Sequence, residues 1–301
     1  MPRPRLAVVV VHYSTPTETA ACLAALGLSE RPCDHLVVVD NEAGNGTAAE
    51  LRQAYPEVDW VTAPRNLGFA CGANLGVRRA LDRGAEMVFL LNSDAELARD
   101  CLGVLEATLA RASAGIAGPA VVSRADGVTV ESLGMRYNAL SGRMRLLGWG
   151  APLPATSSPW CAVDALTGCA LLVRREVFER TGLLGEDYFF GYEDLDFCLR
   201  ARRRGFAVVC APGALVFHHG GASLPTDSPE RAYFAARNHL LVAARARPLP
   251  QPLSALRAGC VATLNLAHVL LRSDFPRAAG VRAWAAGVTD YAAGRFGERR
   301  R

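Results

Sequence analysis

The sequence contains no lysine, because all 33 of its basic residues are arginines. A P-loop needs a lysine against the nucleotide phosphates, and Schiff-base catalysis needs a lysine amine, so both kinds of chemistry are excluded. The nine cysteines include no Cys-x-x-Cys pair, so neither a structural zinc site nor a thioredoxin-like redox motif is indicated. We therefore expect free thiols in a reducing compartment.

Long uninterrupted apolar runs are also missing. The longest apolar stretch covers residues 253–271, and Arg257, Asn265 and His268 interrupt it. The apolar stretch 6–11 is too short for the core of a signal peptide. The hydrophobic content is nevertheless 50% over 301 residues, which is enough for a large core. These observations predict a soluble cytoplasmic protein.

Positive charge is concentrated in the last part of the chain. The formal net charge is +4, and residues 231–301 contribute +9 of positive charge, which leaves −5 for the remainder. Apolar residues recur between Leu253 and Leu270 over a broad helical arc, with Arg257 and Arg272 close by. We expect this segment either to lie peripherally on an anionic membrane, at its inner face, or to pack against the catalytic domain or a second subunit in a homodimer.

Short apolar strands alternate with helices in the first half of the chain. Strands are predicted at 6–11, 35–39, 58–61 and 87–91, and helices at 20–28, from Thr47, at 72–83 and at 97–110. Later helices are predicted at 174–181, 193–204 and 230–246, and short strands at 207–210 and 214–217. This alternation is typical of an α/β fold with a mostly parallel central sheet covered by helices on both faces.

Polar residues follow the predicted strands. They are residues 12–15, 40–41, 65–66 and 92–94. Because ligands of such sheets bind at the carboxyl ends of the strands, these residues should converge on one crevice. No Gly-x-Gly-x-x-Gly follows the first strand, which disfavours a dinucleotide-dependent oxidoreductase.

Three polar clusters and one aromatic segment each allow two interpretations. Asp94 either caps the next helix or binds Mg²⁺ or Mn²⁺ through its carboxylate. Glu193 and Asp194 either complement a helix dipole or supply a general base. The pair His218 and His219 is either structural or contacts a ligand.

The aromatic residues before the acidic pair either fill the core or form a wall against which an acceptor stacks. They are Tyr188, Phe189, Phe190 and Tyr192.

Six motifs occur in order along the chain. They are Asn41-x-x-x-Asn-Gly-Thr47, Arg65-Asn-Leu-Gly-Phe-Ala70 with Asn74, Leu90-Leu-Asn-Ser-Asp94, Thr167-Gly-Cys-Ala-Leu-Leu-Val-Arg174, Tyr192-Glu-Asp-Leu-Asp-Phe-Cys-Leu-Arg200 and His218-His-Gly-Gly-Ala-Ser223. Together they resemble the family 2 glycosyltransferases of the GT-A fold, in particular a rhamnosyltransferase-like subgroup. The resemblance covers about residues 5–240.

The resemblance implies roles for individual residues. It assigns Tyr13, Ser14, Asp40, Arg65, Asn66, Asn92 and Ser93 to the donor nucleotide-sugar, Asp94 and His218 to the metal, and Asp194, with Glu193 as the substitute, to the catalytic base. Asn92 departs from the family's Asp-x-Asp motif, so Asp94 has to supply most of the metal contact, and His219 remains an alternative to His218.

The same resemblance implies an inverting transfer of one sugar, such as rhamnose or another hexose, and Mg²⁺ or Mn²⁺ as cofactor. The donor is a dTDP-, UDP- or GDP-linked sugar, the acceptor is a glycan, a lipid-linked or a small molecule, and nucleic acid is not a partner. The Gln-x-x-Arg-Trp motif of processive members is missing from the sequence. The alternatives are a nucleotidyltransferase or a non-catalytic binding module.

Three regions follow from these assignments. Residues 1–125 are expected to form the donor-binding half of the GT-A domain, residues 126–246 the acceptor-binding and catalytic half, and residues 247–301 a C-terminal helical extension.

Overall fold

A computed structural model describes residues 3–43, 46–155, 158–220, 228–272 and 275–299. The expected loop at Gly44 and Asn45, residues 221–223 of the histidine motif and the final arginines at 300 and 301 lie outside these ranges.

The strands lie in one central sheet and one separate hairpin. They are β1 (Leu6–His12), β2 (His35–Asp40), β3 (Asp59–Thr62), β4 (Met87–Asn92), β5 (Ala95–Leu97), β6 (Ile116–Ser123), β7 (Val130–Ser132), β8 (Met135–Tyr137), β9 (Met144–Leu146), β10 (Cys161–Ala162), β11 (Ala170–Arg174) and β12 (Val208–His218). The order in the central sheet is β10-β12-β6-β11-β4-β1-β2-β3, with β5 beside β12 and β7 beside β6. The hairpin consists of β8 and β9.

Helices cover the sheet and extend beyond it. They are α1 (Pro16–Gly27), α2 (Ala48–Ala54), α3 (Gly68–Asp82), α4 (Cys101–Arg111), α5 (Arg175–Thr181), α6 (Glu193–Arg203), α7 (Pro229–Ala246), α8 (Leu253–Arg272) and α9 (Arg277–Ala292). A 3₁₀ turn lies at Glu186–Tyr188.

The predicted parallel arrangement of the first four long strands is confirmed, since β3, β2, β1 and β4 lie side by side and parallel. Alternate residues of β1 point to opposite faces, so Val9 joins one apolar core and Val10 joins the other. The register pairs His12 with Asp40 and Val11 with Asn92. The carboxyl ends of these strands therefore meet at one edge, as the sequence predicts.

The second half of the chain completes the same sheet. Strand β11 lies antiparallel between β4 and β6, which makes the sheet mixed on this side. The two strands predicted at 207–210 and 214–217 are one strand, β12, because its pairing with β6 skips from Ala211 to Leu215 and then resumes.

The helix predicted at 97–110 begins later than expected. Residues Ala95–Leu97 form β5, which pairs with β12, and the helix α4 starts only at Cys101. The interpretation of Asp94 as a helix cap is therefore wrong, because a strand follows it directly.

The C-terminal region folds as two helices that pack with α7 into a helical layer. Tyr233 and Phe234 of α7 are buried together with Ala283 of α9. Gly287 allows this close approach, because a Cβ atom there would lie 2.4 Å from the carbonyl oxygen of Tyr233. By length and composition, residues 253–271 of α8 could cross a membrane despite the three polar interruptions, with a mean hydropathy of 1.3.

Candidate active site

A cavity of about 550 Å³ lies at the carboxyl ends of β1 and β4. It is lined by Val11, Tyr13, Asn41, Asn66, Gly68, Phe69, Asn92, Ser93, Asp94, Phe189, Phe190, His218, Glu230, Arg231, Phe234, Glu298 and Arg299. Another groove, of about 790 Å³, runs along α4 beside Trp160 and contains none of the predicted site residues. The first cavity is therefore the candidate site.

Asp94 and His218 meet at one side of this cavity. Asp94 directly precedes β5, and the antiparallel pairing of β5 with β12 sets His218 opposite Ala95. The Oδ1 atom of Asp94 is consequently 3.3 Å from Nε2 of His218. The neighbouring His219 is exposed, and its backbone N–H donates to the Asp94 carbonyl at 2.9 Å. The fold thus brings the His218 ring to the Asp94 carboxylate.

Glu131 holds the other nitrogen of the His218 ring, at 2.7 Å from Nδ1. Burial by itself lowers the pKa of His218, but the carboxylates of Asp94 and Glu131 outweigh it and raise the pKa to about 9. Sequence reasoning did not identify Glu131, because it lies in a Gly- and Ser-rich stretch without a motif.

Asp94 and His218 fit a divalent cation. A carboxylate oxygen and an imidazole nitrogen already face each other across a gap that a cation can bridge, and this O and N donor set suits Mn²⁺ or Mg²⁺. A carboxylate on the second imidazole nitrogen, such as Glu131, is the usual support of a metal-binding histidine. Within the described ranges no cluster of three or more His, Cys, Asp or Glu side chains could hold a metal. A cation here would therefore take its remaining ligands from substrate and water.

Asp194 is held at the start of α6 beside the cavity. Its Oδ2 accepts the Gly168 N–H at 2.7 Å, and its Oδ1 accepts the Leu195 N–H at 2.6 Å. A Cβ atom on Gly168 would lie 3.4 Å from the Asp194 Cβ and 3.5 Å from Cε1 of Phe69, a wall residue. The Asp194 side chain is thus half-buried close to Phe69, and Phe69 is the member of this group that lines the cavity.

The two acidic residues of α6 have different surroundings. Glu193 is 5% exposed, and among the described residues no group bonds to its buried Oε2 atom. Burial and the neighbouring Asp194 raise the pKa of Glu193. Burial also raises the pKa of Asp194, while the N–H groups of Gly168 and Leu195 oppose this effect. Asp194 is therefore the better placed proton acceptor, and Glu193 is enclosed in the interior.

The residues predicted to contact the nucleoside lie at the ends of β1 and β2. Tyr13 lines the cavity. Asp40 is 1% exposed and accepts hydrogen bonds from Nη2 of Arg52 and from the N–H of Glu42, both at 3.0 Å. Ser14 donates to Oε1 of Glu42 at 2.5 Å. Asp40 and Ser14 thus support the rim of the cavity without lining it.

Asn66, Asn92 and Ser93 line the cavity as well. Oδ1 of Asn66 accepts the Gly68 N–H at 2.9 Å and thereby fixes the turn that begins α3. Arg65 lies outside the wall and forms an exposed ion pair with Glu298, whose Oε2 is 2.5 Å from Nη1. Residues beyond α9 therefore border the site.

The aromatic segment is divided between the interior and the cavity wall. Tyr188 is fully buried, and Tyr192 stacks on His239 with ring centroids 5.2 Å apart. Phe189 and Phe190 line the cavity, and Phe189 stacks on Phe234 at 5.5 Å. Two of the four rings are therefore packed in the interior, and the other two form an apolar wall of the site.

Two residues of α7 hold this segment in place. Arg237 is fully buried and donates to the carbonyls of Tyr188, at 3.0 Å, and Gly297, at 2.7 Å. Nδ2 of Asn238 lies 2.8 Å from the carbonyl oxygens of Tyr188 and Phe190 and 3.0 Å from that of Gly191. In the sequence, these two residues are marked only by their position in a short polar run, Arg237-Asn238-His239, within the apolar part of the predicted helix.

The backbone conformation explains why this segment needs such support. Phe189 has φ +59° and Tyr192 has φ +74°. Both angles are positive, a backbone conformation that residues other than glycine rarely adopt. The Phe189 carbonyl in turn accepts the Phe69 N–H at 2.8 Å. Hydrogen bonds from α7 and α3 therefore fix the backbone that leads into α6.

Comparisons with known proteins identify the family of the chain. A family profile described as glycosyltransferase like family 2 matches residues 2–240. The dTDP-rhamnosyl transferase RfbF of Shigella flexneri is 27% identical over 242 residues, covering 78% of this chain and 78% of that protein. The N-acetylglucosaminyl-diphospho-decaprenol L-rhamnosyltransferase of Mycobacterium tuberculosis is 30% identical over 249 residues, covering 74% of this chain and 78% of that protein.

A solved structure shows the same fold. The mannosyltransferase PcManGT from Pyrobaculum calidifontis, in complex with GDP-Man and Mn²⁺, superposes with a TM-score of 0.57 at 20% identity. The superposition covers 98% of this chain and 84% of that one. Since the family profile spans most of the chain, the protein belongs to glycosyltransferase family 2 and is a glycosyltransferase of the GT-A fold.

Proposed function

We propose that the protein transfers one sugar from a nucleoside diphosphate sugar to an acceptor hydroxyl, with inversion at the anomeric carbon and with the help of a divalent cation. The observation that carries this proposal is the meeting of Asp94 and His218 in the same cavity as Tyr13 and Asn66. The match to the glycosyltransferase profile favours this function over the two alternatives that the sequence left open, a nucleotidyltransferase and a non-catalytic module.

Asp194 acts as the general base. Its carboxylate takes the proton of the acceptor hydroxyl while the hydroxyl oxygen forms a bond to the anomeric carbon of the donor. The bond between that carbon and the diphosphate oxygen breaks on the opposite face, so one displacement inverts the configuration. The raised pKa of the Asp194 carboxyl makes it a stronger base than an exposed aspartate, and such catalysis contributes about 10²- to 10⁴-fold.

Asp94 and His218 would hold the cation. When bound, Mg²⁺ or Mn²⁺ neutralises the negative charge of the leaving nucleoside diphosphate. Asn92 contributes no charge, which leaves Asp94 as the acidic ligand from this turn. Asn66 and Tyr13 line the same cavity and are positioned to contact the nucleotide.

Rhamnose is the first donor sugar to test. Both named relatives are rhamnosyltransferases and align with about three quarters of this chain. The mycobacterial relative is named for a diphospho-decaprenol acceptor, so a lipid-linked glycan is the first acceptor class to test. The apolar wall of Phe189, Phe190 and Phe234 provides a surface on which a sugar ring can stack.

The test is a donor screen by mass spectrometry with dTDP-, UDP- and GDP-sugars, in Mn²⁺ and in EDTA. Asp94→Asn should abolish metal-dependent donor turnover, whereas Glu57→Gln, an exposed acid away from the cavity, should leave it unchanged. Full turnover in EDTA would overturn the role of the cation. Retention of configuration in the product would overturn the role of Asp194.

A further inference from the structure

Helix α8 has one packed face and one exposed apolar face. Arg257, Val261 and Val269 are buried against the neighbouring helices and the hairpin. The opposite face presents leucines that are 38–81% exposed, namely Leu253, Leu256, Leu264, Leu270 and Leu271. Gly259, Cys260, Thr263 and His268 are exposed between them. Five exposed leucines on one helix are nevertheless unusual for a surface in contact with water alone.

The β8–β9 hairpin extends this face. Nη1 of Arg257 donates to the Ala139 carbonyl in the hairpin turn at 3.0 Å, and a Cβ atom on Gly142 would lie 2.9 Å from Val261. The next residue after Ala139 is Leu140, which is 59% exposed. The hairpin turn and α8 are therefore packed together, with Leu140 and Leu256 exposed at the junction.

The same hairpin carries three arginines, and among the described residues only Arg136 has an acidic partner, Asp164 at 3.9 Å. Arg136 and Arg145 lie directly opposite each other in the strand pairing, an arrangement that destabilises a hairpin through repulsion between like charges. Arg143 and Arg145 are exposed, and no acidic group among the described residues lies within ion-pair distance of either. The sequences of the hairpin and α8 contain no acidic residue. The surface therefore combines exposed apolar side chains with arginines that have no acidic neighbours in the same two elements.

We propose that this leucine–arginine face, formed by Leu140, Arg143, Arg145 and the exposed leucines of α8, docks on the surface of an anionic phospholipid bilayer. Leucines enter the boundary between headgroups and acyl chains, and arginines contact the lipid phosphates. A symmetric dimer through this face would bring arginines of one copy towards those of the other without acids to pair with them.

Helix α8 lies along the bilayer and does not cross it. The Arg257 side chain of this helix donates hydrogen bonds to the carbonyls of Ala139 and Arg247. The indole N–H of Trp284 in α9 donates to the Ala262 carbonyl at 2.9 Å. These contacts hold the first half of the helix to the fold, and the buried Val269, packed beside Gly280 of α9, holds the second half. The exposed face is therefore the one available to lipid. This surface is separate from the catalytic cavity, and the inference does not depend on the proposed reaction.

The test is co-sedimentation of the full chain, without donor or acceptor, with vesicles of phosphatidylglycerol or of phosphatidylcholine. Binding should require phosphatidylglycerol and weaken strongly between low and high salt, because added salt screens the arginines. Arg143→Gln with Arg145→Gln should lower the partition coefficient about 25-fold, since each cation near an anionic surface contributes about fivefold. Arg111→Gln, an exposed arginine of α4, serves as the matched control.

The apolar contribution is tested by Leu256→Glu combined with Leu264→Glu. This variant should lose at least about tenfold in partition, whereas Leu28→Glu, at a site 58% exposed after α1, should bind as the wild type does. Equal binding to both lipids, or unchanged binding of the α8 variant, would overturn the proposal. A lipid-independent dimer that the same leucine substitutions dissociate, seen by sedimentation equilibrium, would also overturn it.

Discussion

The hydrogen bonds from Asn238 to the aromatic segment lead to a quantitative prediction. In Asn238→Ala the carbonyls of Phe190 and Gly191 lose the hydrogen bonds they accept from this amide, whereas the Tyr188 carbonyl keeps the one from Arg237. Each carbonyl left without a partner costs about 1–3 kcal/mol, so the two together should lower the free energy of unfolding by about 2–6 kcal/mol.

Catalysis should suffer more than donor binding. The freed segment leads directly into Asp194, and a displacement of the base by about 1 Å can lower the rate by about 100-fold. We therefore expect kcat to fall about 10- to 100-fold, with the donor Kd nearly unchanged. Chemical denaturation, single-turnover transfer and donor titration measure the three quantities separately.

Asn265→Ala is the matched control for this experiment. It removes amide hydrogen bonds to His239 and to the Val261 carbonyl inside the helical layer. Its link to the aromatic segment is indirect, through the His239 ring that stacks on Tyr192. Our reasoning is refuted if Asn238→Ala is destabilised but retains the wild-type kcat, or if Asn265→Ala loses kcat to the same extent.

Three further changes probe the same site. Asp194→Asn should lower transfer about 10²- to 10⁴-fold with donor affinity intact, and a collapse of donor affinity in calorimetry would instead make Asp194 a structural residue. Burial raises the pKa of Glu193, so the folded state should lose stability as pH rises above the ordinary value of 4.5, where the unfolded chain ionises first. Glu193→Gln should flatten this decline in denaturation midpoints measured from pH 4 to 8, and an unchanged slope would contradict it. Gly68→Ala should raise the donor KM, because its φ is +79° and the new Cβ would lie 2.4 Å from the Phe189 carbonyl oxygen. Gly213→Ala, where no atom lies within 4 Å of the new Cβ, should match the wild type in the same steady-state assay.

The parallel half of the fold could be predicted from sequence because its signals are local. Buried strands such as β1 and β2 are short runs of β-branched residues, and each is followed by polar residues and a helix. The convergence of their ends followed from chain order alone. The pairing of β12 with β6 across a bulge, and the insertion of β5 after Asp94, depend on contacts between distant segments, which local patterns do not encode.

The site shows the same division. Asp94, Asp194 and His218 stand in recognisable motifs, and the fold brings Asp94 and His218 together. Glu131 and Asn238 carry no motif, because their roles arise only when a hairpin edge and a distant helix pack against the site. The positive φ angles of Phe189 and Tyr192 could not be predicted from the sequence either, because hydrogen bonds from α7 and α3 impose them and local conformational preference does not.

The ion pair between Arg65 and Glu298 joins the C-terminal segment to the border of the cavity. The family profile ends at residue 240, yet Glu298 and Arg299 line the candidate cavity together with residues that the profile matches. Part of the cavity wall therefore lies outside the stretch that the family profile matches, on a segment separate from the elements that carry Asp94 and His218. Exchange of the region after α7 between related enzymes should redirect substrate choice while the catalytic framework is inherited intact.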